Sequence, residues 1–122
     1  MESMIDCSCH CGAVRFSLEA APASVNDCTC SICRRYGALW AYYPPSSVHF
    51  EEGSGPTDVY MRGEKDLEFH RCRACGCITH WKAAPKFASP TRMGVNARLA
   101  PPEALQDVQR LRNGKPSEPG AP

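Results

Sequence analysis

Nine cysteines in 122 residues, gathered into three short clusters, constrain this chain more than any other feature. The clusters are Cys7-Ser8-Cys9-His10-Cys11, Cys28-Thr29-Cys30-Ser31-Ile32-Cys33 and Cys72-Arg73-Ala74-Cys75-Gly76-Cys77. Thiols used only for packing would be scattered. A disulfide framework is disfavoured, because the number is odd and a bridge across C-x-C closes a small, strained ring. Metal binding explains the grouping better. A C-x-C or C-x-x-C turn points two thiolates at one ion while backbone amides face the sulfurs. Zinc takes such donors in a tetrahedron with Zn–S near about 2.3 Å. Two knuckles far apart in sequence can close one four-cysteine site, whose binding energy is folding energy. An iron–sulfur cluster is the minor alternative, since thiolates alone do not exclude it. The thiols divide either into two closed four-cysteine sites with one left over, or into one closed site, one open three-cysteine site and two bystanders. Spacing alone leaves both divisions open. The distinction matters because an open position is where zinc does chemistry.

The rest of the composition removes other functions. A mass of 13.4 kDa makes one ordinary domain. The formal charge is only +1 and no polybasic stretch exists, so nucleic acid is not an expected partner. No apolar run is long enough to span a membrane. The opening Met1-Glu2-Ser3-Met4-Ile5-Asp6 lacks an apolar export segment, which points to a cytoplasmic location with reduced thiols. Eleven prolines and a mean hydropathy of −0.39 imply a modest core that needs help from the cysteines.

Hydrophobic periodicity predicts mostly β structure, with strands at 13–19, 38–43, 48–51, 58–62, 67–71, 78–82 and 92–99. Residues 20–26 read as a connection and 85–90 as irregular. Pro44-Pro45 ends the aromatic run, Gly53-Ser54-Gly55-Pro56 makes a turn, and 101–105 fits one helical turn. No long amphipathic helix is expected. The fold class is therefore mainly β, a small single domain of short antiparallel strands stapled by zinc knuckles. It runs over 1–112, and 113–122 form a disordered Gly/Pro/Ser/Lys tail.

Four segments together are similar to a known family. Cys9-His10-Cys11-Gly12-Ala13-Val14-Arg15-Phe16 resembles the opening C-x-C-G-x-V-x-F of the glutathione-dependent formaldehyde-activating enzymes, a family that includes centromere protein V-like domains. Cys28-Thr29-Cys30-Ser31-Ile32-Cys33-Arg34-Arg35-Tyr36-Gly37 resembles its C-x-C-S-x-C-R-[KR]-x-G signature. Cys72-Arg73-Ala74-Cys75-Gly76 resembles its C-x-x-C-G knuckle, and Gly94-Val95-Asn96-Ala97-Arg98 its late V-N-x-R segment. The resemblance implies two zinc ions per chain. Cys9, Cys11, Cys72 and Cys75 would form the closed, structural site. Cys28, Cys30 and Cys33 would hold the open, catalytic one. It also implies carbon–sulfur lyase chemistry, in which a small aldehyde such as formaldehyde adds to, or leaves, a thiol such as glutathione. Cys7 stands where the family often has glycine, and Cys77 is an additional thiol after the third knuckle.

Three thiolates reduce the Lewis acidity of zinc, so such a centre suits a soft sulfur as fourth ligand better than water. Arg34 and Arg35, next to the open knuckle, are candidates for substrate carboxylates, or else donors to knuckle carbonyls. Asn96 is a candidate for a substrate amide or a backbone clamp. Tyr36, Trp40, Tyr42 and Trp81 are candidate pocket walls, with core packing the expected role of the two tryptophans. His10 is expected to point outward, and His80 is the best histidine for proton transfer, should one be needed. Two other functions compete with the enzyme: a non-catalytic zinc-stapled binding module, and a redox or zinc-buffering protein that uses Cys7 or Cys77.

Overall fold

The alternation around Phe16 builds the first layer. Phe16 and Leu18 are buried while Arg15 is exposed. Their strand β2 (Arg15–Leu18) pairs antiparallel with β1 (Ile5–Ser8) on one side and β5 (Val48–Phe50) on the other. The structure is a computed structural model that describes residues 4–61, 65–87 and 92–112. The region read as a disordered tail, 113–122, lies outside them.

The second layer is a seven-stranded sheet. It contains β3 (Ser24–Asn26), β4 (Trp40–Tyr43), β6 (Thr57–Tyr60), β7 (Leu67–Cys72), β8 (Ile78–Ala83), β9 (Met93–Asn96) and β10 (Gln109–Leu111), in the order β10-β3-β4-β9-β8-β7-β6. Its pairs are antiparallel except β10 with β3, which run parallel. Among the described residues one four-residue helix, α1 (Cys33–Tyr36), interrupts the β structure, with 3₁₀ turns at Pro45–Ser47, Pro85–Phe87, Ala97–Leu99 and Pro102–Leu105.

Period-two geometry gives the large sheet two faces. Val25, Ala41, Tyr43, Met93 and Val95 pack against Cys7, Phe16, Leu18 and Val48 of the small sheet, forming the main core. The opposite face carries Trp40, Phe69 and Trp81, which pack with Cys28, Cys30, Ile32 and Cys33. Gly94 lies on this face opposite both Tyr42 and Trp81. A Cβ there would stand 2.0 Å from the Trp81 Nε1. The indole therefore lies directly on bare backbone.

Most predicted strands form, within a residue or two at their ends. Two differences have clear causes. The expected strand 92–99 stops at Asn96, because the Asn96 side chain accepts the Arg98 N–H and turns the chain into a 3₁₀ turn. The expected connection 20–26 includes β3, and β10 pairs beside it. Both are three-residue elements, β10 at the sheet edge and β3 next to it, too short to show a period in sequence.

Gly94→Ala should displace Trp81 and lower stability by about 2 kcal/mol. Chemical denaturation followed by tryptophan fluorescence would show a lower midpoint and a shifted native emission; an unchanged midpoint would refute the contact. His80 makes a second prediction. Burial, then the charges of His70 and Lys82, push its pKa from 6.5 down to about 3. Between those values the unfolded chain binds a proton that the native chain refuses. Stability therefore rises with pH in this window and is lost as acid is added. His80→Phe should flatten the slope of stability against pH relative to the parent protein.

Candidate metal centre

Both knuckles of the first cluster are hairpin tips. Cys9 and Cys11 sit on the turn joining β1 to β2, and Cys72 and Cys75 at the tip joining β7 to β8. Each tip closes in the same way. Gly12 N–H donates to Cys9 O at 3.1 Å, and Gly76 N–H to Cys72 O at 2.9 Å. Each glycine has positive φ, +81° and +82°, so the chain reverses there without a Cβ penalty. The amides of Val14 and Cys75 donate to the sulfurs of Cys9 and Cys72, at 3.3 and 3.5 Å.

The two tips meet. The sulfurs of Cys9, Cys11, Cys72 and Cys75 all lie within 4.8 Å of one another. Cys9–Cys11 and Cys11–Cys72 are 3.7 Å apart. The edge of a tetrahedron with metal–sulfur bonds of about 2.3 Å is about 3.8 Å. Four thiolates at that spacing, without a carboxylate among them, fit a soft ion such as zinc. Backbone N–H groups of Cys77 and Cys11 hold Cys75 down to about 5, which favours its thiolate.

Cys28, Cys30 and Cys33 form the second sulfur cluster, likewise within 4.8 Å. Cys33 starts α1, and the Gly37 N–H returns to Cys33 O at 3.0 Å. Around the sulfurs stand Trp40, Phe69 and Ile32, with Tyr36, Leu67, Ile78 and Trp81 partly buried at the margin. Burial is the main force raising the Cys33 pKa, as expected for a thiol placed where only an ion would favour its anion.

The neighbouring polar groups divide by role. Arg34 and Arg35 are exposed, and Arg35 Nη1 donates to Ser31 O at 2.8 Å, bracing the knuckle. Asn96 is 6% exposed. Its Nδ2 donates to Ile78 O, and its Oδ1 accepts from Leu39 and Arg98 N–H. Arg98 Nε donates to Gly37 O at 2.7 Å. Asn96 and Arg98 thus clamp the segment 37–39 that leaves the second knuckle. Trp40 does more than pack, because its Nε1–H donates to Cys33 Sγ at 3.3 Å. Its sequence neighbourhood shows only an aromatic strand, so this bond is visible only after folding.

The surplus thiols sit apart from each other. Cys7 is in the main core, 2% exposed, with burial pushing it up to about 12. Cys77 packs beside Cys9, Val14 and Cys72. His10 is exposed, as expected. His80 pairs with Val95 and His70, on the sheet face opposite Trp81 and the second sulfur cluster, so strand alternation removes it from that chemistry.

Trp40→Phe keeps the ring and removes the N–H donor. It should weaken metal binding at the second cluster about 10- to 100-fold, as loss of an outer-shell partner does, while leaving the first cluster unaffected. Competition with a chromophoric chelator would measure both affinities.

Comparison with known proteins agrees with this geometry. The profile of the family "Glutathione-dependent formaldehyde-activating enzyme" matches residues 4–109. A protein of Halomonas elongata named "Putative glutathione-dependent formaldehyde-activating enzyme" is 30% identical over 115 residues, which cover 84% of this chain and 73% of that one. A crystal structure of a Rhodobacter sphaeroides protein superposes with a TM-score of 0.68 at 31% identity, over 86% of this chain and 98% of the other. By sequence pattern and by fold, the chain belongs to the glutathione-dependent formaldehyde-activating enzyme family.

Proposed function

We propose that this chain is a zinc-dependent, carbon–sulfur lyase-like protein that adds a small aldehyde such as formaldehyde to a thiol such as glutathione, or removes it. The observation that carries this reading is the three-cysteine cluster: three sulfurs within 4.8 Å of one another, beside partly buried aromatic side chains. Cys9, Cys11, Cys72 and Cys75 would hold a structural zinc, and Cys28, Cys30 and Cys33 a second one. When bound there, the second ion supplies an open position that favours a thiolate as fourth donor.

The chain's own residues do the remainder. Cys28, Cys30 and Cys33 present a compact anionic face that selects a soft ion. Phe69, Leu67, Tyr36 and Trp81 limit water beside the sulfurs. Arg34 offers an exposed guanidinium for a carboxylate of the thiol substrate, and Arg35 keeps the knuckle in shape through Ser31. Asn96 serves the site by position, through its bonds to the backbone on either side of the cluster. In the addition, the substrate sulfur forms a bond to the carbonyl carbon as the carbonyl π bond opens. The thiol proton leaves to solvent and the new hydroxyl takes one from solvent. The reverse reaction breaks the same carbon–sulfur bond. A cytoplasmic setting, with reduced thiols and available glutathione, fits this chemistry.

Metal analysis and calorimetry test the proposal together. The parent protein should carry two zinc ions per chain. Cys30→Ser should carry one, keep its circular dichroism spectrum, and bind glutathione at least about tenfold more weakly. Equal zinc content in the two proteins, or unchanged glutathione binding, would overturn it.

A further inference from the structure

A cavity of about 330 Å³ opens on the side of the molecule away from the second sulfur cluster, between the ends of the two sheets. It is lined by Val14, Phe50 and the 53–55 turn on one side, and by Thr57, His70, His80 and Lys82 on the other. The volume falls within the range of small-molecule sites. His70 and His80 are 7% and 5% exposed, and their rings stack at 4.3 Å.

The hydrogen bonds fix which ring nitrogens are engaged. Thr79 Oγ1 lies 2.8 Å from His80 Nδ1 and 3.3 Å from His70 O. Thr79 therefore occupies Nδ1 of His80, and Nε2 is the ring nitrogen left for a ligand. His70 is held at both ring nitrogens. Its Nε2 donates to Glu68 Oε1 at 3.0 Å, and its Nδ1 accepts from Thr57 Oγ1 at 2.7 Å. His70 is thus fully engaged, whereas His80 Nε2 has no hydrogen-bond partner among the described residues. It is not a sealed atom, so it opens on the cavity. Burial beside His70 and Lys82 keeps the ring neutral.

Two further features define what would fit. The Phe50 ring lies 4.8 Å from the His80 ring, at 57°, an aromatic wall that remains partly exposed. Lys82 follows His80 on the same face of β8, about 6.6 Å further along the strand. Of the charged groups there, Glu51 is met by Arg15 at 3.3 Å, Glu68, across the strand pair from Lys82, is engaged by His70 at 3.0 Å, and Lys82 is the cation at the mouth.

We propose that this cleft is a second ligand site, separate from both sulfur clusters, for a small aromatic hydroxy-carboxylate. The hydroxyl hydrogen-bonds to His80 Nε2, the ring packs on Phe50, and the carboxylate reaches Lys82. The site needs no metal and does not depend on the thiol–aldehyde reading.

The test uses the full-length, zinc-loaded protein and three probes: 4-hydroxybenzoate, benzoate and phenol. Calorimetry should show 4-hydroxybenzoate binding about tenfold more tightly than either probe lacking one group. Its addition should move the ¹⁵N resonance of His80 Nε2. Lys82→Met, at an exposed position, should reduce 4-hydroxybenzoate to the affinity of phenol, and His80→Phe to that of benzoate. Equal affinity for the three probes, or no binding up to about 10 mM, would overturn the proposal. Zinc content that stays constant across the variants would separate these outcomes from a failure of the metal centres.

Discussion

Sulfur-to-sulfur contact between two hairpin tips is the interaction on which the rest depends. Cys11 and Cys72 are 61 positions apart in sequence and 3.7 Å apart in space. Each tip is shaped by a knuckle whose glycine turns the chain and whose amides face the sulfurs. Bringing four thiols this close costs free energy unless something offsets the repulsion of their anions. A bound cation would do that, and its binding energy would then count as folding energy. Strands of three to six residues and a divided core would otherwise be a weak basis for so small a domain.

The seven-stranded sheet separates two chemistries. One face and the small sheet enclose aliphatic and aromatic side chains, and the stacked histidines stand at the end of that interior. The other face carries Trp40, Phe69 and Trp81 against the second sulfur cluster. Because neighbouring residues on a strand point to opposite faces, His80 and Trp81 serve different sites although they are adjacent in sequence. Gly94 shows how closely the Trp81 indole lies on the neighbouring strand, since no side chain fits beneath it.

Much of the fold class was legible because alternation is a local signal. Arg15–Leu18 and Leu67–Cys72 alternate clearly, and both are strands. The short elements Ser24–Asn26 and Gln109–Leu111 were not legible, because three residues carry no measurable period and they gain order by pairing with each other. The grouping of the cysteines was legible, through knuckle spacing and family resemblance. Asn96 stood out in sequence, but its bonds to Leu39, Ile78 and Arg98 give its amide a definite place that residue type alone left open. The aromatic run 38–43 did not reveal that Trp40 donates to Cys33, nor did the run 78–82 reveal which side of the sheet His80 faces.

Residue identity and spacing by themselves determined that this chain is β-rich, that its thiols act in groups, and that its pattern is that of the formaldehyde-activating family. Those properties are local, set by side-chain period and by the reach of a two- or three-residue turn. Tertiary structure alone decided which indole touches a sulfur and which imidazole nitrogen is left open to a cavity. Each of these depends on the register and face of strands paired across long loops, and a shift of one residue in register would reverse every one of those orientations.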